Sequence, residues 1–556
     1  MSAIRLGSRR AWQHGVSVAI LLSLFLMLKS YGLNYAVSDE NIYFYDASLM
    51  TRGLWPYRDF FFAHPPLHLV PGWLLFELAG FHYAAAKLLP VFATCVSGVC
   101  VYFLATRARG RLAAVTATGL FLFSHDLLRA SSHWTGINWS VAWLSAGLLA
   151  ALSGSPVAAG ILFALGSCTG AYVLPGVLMV LTLTTVVRPR HGLRFATAFA
   201  LVFATVNAAF WAMGGQGFID GVYRFHWLKP SAEETALSAQ LGQMLFHNFF
   251  LLASPVYLAP LVAHRAWSRV CRKPWYRGVR DMLDPTVCLE SATGTWCLLF
   301  SAGYLVFLWR LPQVYHFYLL LMFPTCAVAG GLVAAWLWSA IVRGVRDRRV
   351  RVAPAMMLAG LAAGYLGYPL FEHRLDYYAA QRGRTVRYDF PPSPLPRWAQ
   401  APVQRLLWRP ERMVGERYTG IQYYLWHESR VFDAASDIAE WLRQNSEPGD
   451  AIFGDSTTTP LVALLAGVPI AAHMSDTNAA RFRSGITPAA EAVAQLEATF
   501  DRADGRLTWV LLCPGRGFYN VNDFRRFVDG HFRLVRQFPT AHHGTYRLLR
   551  RVPPEG

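Results

Sequence analysis

A chain of 556 residues in which 54% are hydrophobic and only 15% are charged is too apolar for an ordinary soluble protein, where charged residues reach about 25%. The net charge of +18 is therefore read as membrane topology rather than as a nucleic-acid-binding surface. The eight cysteines contain no CxxC pair and no metal-ligand spacing, which excludes a clustered-cysteine metal site and predicts no structural disulfide.

Arg5, Arg9 and Arg10 precede the first apolar run, 15–37, and no small-residue cleavage site follows. This predicts an uncleaved first span with a cytoplasmic N-terminus. Further apolar runs cover 83–106, 112–130, 137–187, 195–213, 243–263, 291–309, 316–342 and 353–370. At about 20 residues per span the run 137–187 is too long for one helix. Breaks at Ser153-Gly154-Ser155-Pro156 and at 167–170 divide it into three, for eleven spans in all.

Basic residues cluster in four connections: Arg107, Arg109 and Arg111; Arg188, Arg190 and Arg194; six residues between Arg265 and Arg280; and five between Arg343 and Arg351. With eleven spans all four fall on one side. The opposite connections carry only Arg52, Arg58, Arg129, Arg224, Lys229 and Arg310. That asymmetry predicts a cytoplasmic side for the clusters. The loop around Asp39 and Glu40, the loop 214–242 and the chain beyond 371 are then extracytoplasmic. The parity is the same if 137–187 is one span.

The first external loop reads SDENIYFYDASLMTRGLWPYRDFFFAHPP over 38–66. Ile42, Tyr45 and Leu49 on a polar background predict a short interfacial helix over 41–52, ended by Gly53. Pro65-Pro66 opens a second short helix over 67–78, too short to cross a membrane. Beyond residue 370 the composition turns to Arg, Tyr, Trp and Pro, with PPSPLP at 391–396 as a stiff linker. From 431 the pattern is soluble α/β. Strands are expected at 451–454, 470–473, 507–513, 532–538 and 545–549, and helices at 434–443, 460–466, 488–502 and 523–529. Domains are drawn accordingly at 1–370 (transmembrane), 371–430 (interfacial linker) and 431–556 (extracytoplasmic α/β).

Asp39-Glu40, Tyr43, Gly53, PYRDFF at 56–61 and HPP at 64–66, followed far along the chain by Arg310, His316, Tyr318 and Pro324, resemble the GT-C superfamily of membrane glycosyltransferases. Within it they resemble the bacterial branch related to protein O-mannosyltransferases and to the lipid A aminoarabinose transferase. The resemblance covers roughly 15–370. It implies an α-helical polytopic membrane domain of about eleven helices in the bacterial inner membrane, with a small C-terminal α/β extracytoplasmic domain. It also implies a polyprenyl-monophosphate sugar donor, a lipid-, glycan- or protein-linked acceptor on the external face, and inversion at the anomeric carbon.

Such a transfer needs a general base for the acceptor proton and a means of stabilising the departing phosphate. The donor supplies its own leaving group, so one carboxylate suffices, unlike the pair used in glycoside hydrolysis. Asp39 is the expected base. Its neighbour Glu40 points elsewhere on any helix, as a structural, acceptor or metal group; as bare sequence the pair reads equally as ordinary loop acids. Asp126, beside His125, is a third acid, which either meets Asp39 in one cavity or caps a helix end. Arg310 is the expected phosphate ligand, against a role as a headgroup-facing arginine, with His316 close by. His64, Arg58, Arg224, His226, Lys229 and Tyr43 complete the substrate-binding set, although the run 223–229 reads equally as an interfacial anchor. No cofactor is expected to be required. Asp39, Glu40, Asp126, His64 and His125 could ligate a divalent metal, but no spacing demands one. Asp455-Ser456-Thr457-Thr458-Thr459 reads as a helix cap, with an acceptor-sugar contact as the alternative. No P-loop or GxGxxG motif appears, which argues against cytoplasmic nucleotide-sugar chemistry. The competing class, a transporter or lipid flippase, calls for internal repeats and mid-span charges, and neither is evident.

Overall fold

The computed structural model describes residues 8–29, 38–228, 237–270, 275–311, 314–344, 430–513, 517–540 and 544–552. The expected span 353–370 and linker 371–430 lie outside the described residues. The described residues up to Gly344 form helices without strands; those from Arg430 are α/β.

Four helices among the described residues are long and apolar enough to cross a membrane: Tyr83–Leu122, Pro189–Gly214, Leu289–Arg310 and Phe317–Val342. Shorter apolar helices stand beside them at Ala11–Met27, Ile137–Leu152, Pro156–Ser167, Ala171–Val187 and Asn248–His264. The run 137–187 is broken where its Ser, Gly and Pro residues lie. Gly154 has φ +76°, and Pro156 opens the next helix, where its missing N–H costs nothing.

Tyr83–Leu122 has 40 residues, about 60 Å if straight and twice the hydrocarbon thickness. It turns at Arg109 and Gly110, whose φ is +82°, so it comprises two antiparallel halves. The span expected over 112–130 ends at Leu122; Ser124 is extended (ψ 142°) and His125–Ala130 forms a separate short helix. Phe323–Gly344 packs along Tyr83–Leu122. A Cβ at Gly331 would lie 2.3 Å from the Ala113 carbonyl oxygen, so only glycine permits that approach. Arg109 pairs with Glu290 and Arg188 with Asp284, which gathers basic connections at one end of the bundle.

At the other end, helix Ser38–Met50 differs from the expectation of an interfacial helix: every residue from Glu40 to Met50 is buried. The cause is the C-terminal unit, which packs its helix Thr459–Ala466 against it. The loop after Gly53 lies on the segment 214–224. A Cβ at Gly217 or Gly221 would come within 2.3 Å of the Tyr57 or Phe62 carbonyl oxygen respectively. Tyr57 itself has φ +70°, a conformation that is costly for a bulky residue. Edge-on packing against Phe210 and Phe218 and a hydrogen bond from its hydroxyl to the His64 carbonyl hold it there.

The C-terminal sheet comprises β1 (Asp450–Gly454), β2 (Arg506–Leu512), β3 (Phe532–Thr540) and β4 (Gly544–Arg551) in the order β1-β2-β4-β3. β1 and β2 are parallel; the other pairs are antiparallel. Alternate residues serve opposite faces. Ile452, Trp509, Leu511 and Leu548 join the core shared with helix Ser38–Met50, while Phe453, Val510, Leu512 and Leu549 face the core under Ala489–Glu497 and Asn522–His531. The strand expected at 470–473 is absent: Ile470 alone bridges Ile452. Ala472 and His473 have φ near +50°, which no strand accommodates. The helix expected over 488–502 is Ala489–Glu497.

Candidate functional site

Helix Ser38–Met50 distributes its side chains to three neighbours. Asp39, Ile42, Tyr43 and Asp46 share the i, i+3, i+4, i+7 face and line one cavity of about 560 Å³. Glu40 points into the bundle, where the Lys87 ammonium donates to it at 2.5 Å and the Trp134 N–H at 3.1 Å. Asn41 and Tyr45 meet the C-terminal unit: the Asn41 amide donates to the Thr457 carbonyl (2.6 Å), and the Ile470 N–H to the Tyr45 hydroxyl (2.7 Å).

One wall of the cavity is aromatic and imidazole-rich, with Tyr43, Phe61, Phe62, His64, His133, Tyr172, His226, Tyr315, Phe317 and Tyr318. The Tyr43 hydroxyl is 2.8 Å from His64 Nε2. Burial, then the nearby Asp39 carboxylate, pushes the Tyr43 phenol well above its ordinary pKa, so it keeps its proton and pins the imidazole. His226 Nε2–H donates to the Ala63 carbonyl at 2.5 Å, fixing the other side of the same loop. His68, behind them, is fully buried and pulled down to about 3 by burial, so it is a neutral packing group at physiological pH. Tyr172 and Tyr318 lie with ring centroids 4.5 Å apart and hydroxyls 2.9 Å apart.

The facing wall is polar and comes from the C-terminal unit: Asp455, Ser456, Thr457, Asp476, Asn478, Arg483 and Asn520. The turn after β1 is closed by Asp455, whose Oδ1 accepts the Thr457 N–H at 2.8 Å. Thr458 makes no side-chain cap, so the expected cap is an Asp-centred turn that also faces the cavity. Asp46 accepts the Ser475 hydroxyl at 2.6 Å. Burial lifts its carboxyl well above the usual range.

The expected site residues separate into two groups. Asp39, Tyr43, His64 and His226 meet in the cavity. Asp126 does not join them: it is buried against Asn248 and is not a lining residue. Arg310 is exposed at the end of its helix and likewise outside the lining, consistent with the headgroup-facing alternative. Arg58 pairs with Asp59 and Arg224 with Asp220 at the surface. Lys229 and the side chains of His125 and His316 lie outside the described residues. Among the described residues no three His, Cys, Asp or Glu side chains are grouped to hold a metal ion.

Sequence reasoning offered Asp455, Ser456 and Thr457 as a helix cap, with an acceptor-sugar contact as the alternative, and missed Asp476, Asn478, Arg483 and Asn520 of the C-terminal wall together with His133, Tyr172, Tyr315 and Phe317. The polar run from Asp476 to Arg483, interrupting an otherwise apolar α/β pattern, was the available signal for the wall.

No protein-family model and no curated protein matches the sequence. Solved structures do match. ArnT from Cupriavidus metallidurans in the apo state aligns over 98% of this chain and 99% of its own, with a TM-score of 0.59 and 16% identity. The same protein bound to undecaprenyl phosphate aligns over 98% of both chains, with a TM-score of 0.58 and 15% identity. The chain has the ArnT fold. ArnT is a lipid A aminoarabinose transferase of the GT-C superfamily, the superfamily whose motifs the first loop resembles. An archaeal oligosaccharyltransferase, AglB from Archaeoglobus fulgidus, aligns at a TM-score of 0.47 over 97% of this chain and 74% of its own. The ArnT fold together with the apolar helices makes this an integral membrane protein.

Proposed function

We propose that the protein transfers a sugar from a polyprenyl-monophosphate donor to an acceptor on the extracytoplasmic face, with inversion and with Asp39 as general base. The observation that carries this reading is that Asp39 opens into a cavity walled by imidazoles, aromatic rings and the C-terminal polar loops, in a fold shared with an undecaprenyl-phosphate-bound transferase. The acceptor hydroxyl oxygen bonds to the anomeric carbon and its proton passes to the Asp39 carboxylate. The anomeric C–O bond to phosphate breaks, and its electron pair leaves with polyprenyl monophosphate. His64, His226 and Arg483 are the cavity-lining groups suited to that phosphate. Glu40, already committed to Lys87, takes a structural part in this scheme. The division at 1–370, 371–430 and 431–556, a cytoplasmic N-terminus and a location in the bacterial inner membrane belong to the same proposal.

Incubating the full chain in nanodiscs with undecaprenyl-phosphate-linked sugars and an envelope-lipid extract should release free undecaprenyl phosphate. Asp39→Asn should abolish the release at unchanged expression and thermal midpoint. A transporter or flippase would move the lipid-linked sugar intact and release none, and full turnover by Asp39→Asn would remove the base assignment.

A further inference from the structure

The charges around the cavity discriminate between classes of acceptor. Among the described lining residues there are four acidic side chains, Asp39, Asp455, Asp476 and Asp46, the last pushed toward its neutral form by burial, but only one Lys or Arg side chain, Arg483. Three imidazoles, His64, His133 and His226, are the other groups able to carry positive charge. The donor's phosphate needs these few cations. A second phosphate, on the acceptor, would find the remaining polar surface carboxylate-rich, where like charges repel.

The same surface suits hydroxyl groups. A carboxylate oxygen accepts from a hydroxyl, and Asn and Ser side chains both donate and accept. Two oxygens here lack a hydrogen-bond partner although fully buried: Oδ2 of Asp46 and Oδ2 of Asp455. Both belong to residues that line the cavity. A buried polar atom without a partner is costly, and at a cavity wall it offers a ligand hydroxyl a bond to complete. Asp46 lies two helical turns from Asp39 on the same face, so a group bound between Asp46 and the C-terminal wall lies along the face that carries the base. Gly517 contributes by its size: a Cβ there would sit 2.2 Å from Asp455 Oδ2 and would push that carboxylate from its position.

We propose that the acceptor is an unphosphorylated sugar, neutral or amino-bearing, held by its hydroxyls between Asp46 and the C-terminal wall formed by Asp455, Asp476 and Asn520. This rests on the glycosyl-transfer reading above and adds the acceptor's chemical class. It also gives the C-terminal unit a part in selecting substrate.

The test is saturation-transfer NMR on the full chain in nanodiscs, which avoids sugar-based detergents, with methyl glucoside, glucosamine and glucose 6-phosphate as probes. Saturation transfer is expected for methyl glucoside or glucosamine and not for glucose 6-phosphate. It should fall about fivefold, the worth of roughly one hydrogen bond, in Asp476→Asn and in Asn520→Ala. The second variant truncates an exposed side chain, so its loss of signal cannot be assigned to misfolding. Preference for glucose 6-phosphate, no transfer from any probe, or full signal in both variants overturns the proposal. Undecaprenyl phosphate binding to the unmodified protein, measured in the same nanodiscs, separates the two readings: its absence removes the donor assignment, whatever the sugar probes show.

Discussion

Glu40 and Lys87 face each other at 2.5 Å with both side chains fully buried, and this pair explains why adjacent carboxylates in one motif have different fates. Asp39 and Glu40 are 100° apart on a helix, so one side chain enters the cavity and the other the bundle. Lys87→Met should remove the ammonium in contact with the buried Glu40 carboxylate and destabilise the fold by about 3–5 kcal/mol. The double variant Glu40→Gln with Lys87→Met should recover most of that. Thermal midpoints of the two proteins in detergent check it; equal midpoints would mean that the pair is not coupled.

The helical character of the membrane part was legible because hydropathy is a local property of the sequence. The breaks within 137–187 fall at the residues that punctuate it, and Gly53 ends the first-loop helix with φ +79°. Legibility failed where a distant segment decides the outcome. Burial of helix Ser38–Met50 depends on Thr459–Ala466, more than 400 residues later, and no periodicity in the first loop encodes that cover. Asp39, Tyr43, His64 and His226 were readable as a set because one loop and one neighbouring segment carry them. Of the facing wall only the run at Asp455 carried a sugar contact as an alternative reading, since Asp476 and Asn520 reach the cavity only through the topology of the C-terminal unit. Arg310 lies outside the cavity, and a scarce cation near a span end looks alike in sequence whether it grips a ligand or a lipid headgroup.

The Asp46 carboxyl sets a pH dependence. Burial raises its pKa above the unfolded value, with Asp476 adding to the rise and Ser475 and Arg481 opposing it. A carboxyl raised on folding contributes stability that is fully present below its unfolded pKa and is lost as pH rises through the folded value. Asp46→Asn, a neutral isostere, should lack this slope. The thermal midpoint of the unmodified protein should fall relative to that of the variant from mildly acidic to alkaline buffer. A constant difference across that range would show that Asp46 does not titrate in it.

Arg481 ties the C-terminal unit to the first loop. Its guanidinium lies 4.2 Å from the centre of the Phe61 ring and donates to the Asp476 carbonyl (2.9 Å) and to Thr487 Oγ1 (3.2 Å). Burial draws its pKa down to about 10, so it stays charged at neutral pH. A stacked, partly desolvated guanidinium contributes about 0.5–2 kcal/mol, and lysine does not reproduce the planar fork. Arg481→Lys should therefore loosen the cover over helix Ser38–Met50 and speed amide exchange in that helix. Unchanged exchange there would show that the tie does not hold the two parts together.

Tyr43 is the positioning residue for His64. Its ring packs against His68 at 4.3 Å between centroids and edge-on to Phe62, contacts that phenylalanine retains. The hydroxyl bond to His64 Nε2 is what Tyr43→Phe removes. The variant should fold with nearly the original thermal midpoint but bind undecaprenyl phosphate about tenfold more weakly, since losing one oriented hydrogen bond costs roughly 1–1.5 kcal/mol. His64→Gln should weaken binding as well, and the double variant should be no worse than the poorer single one, because the hydroxyl acts only through the imidazole. Strictly additive losses would show that Tyr43 contacts the phosphate by itself, and an unaltered affinity in Tyr43→Phe would remove it from the donor site.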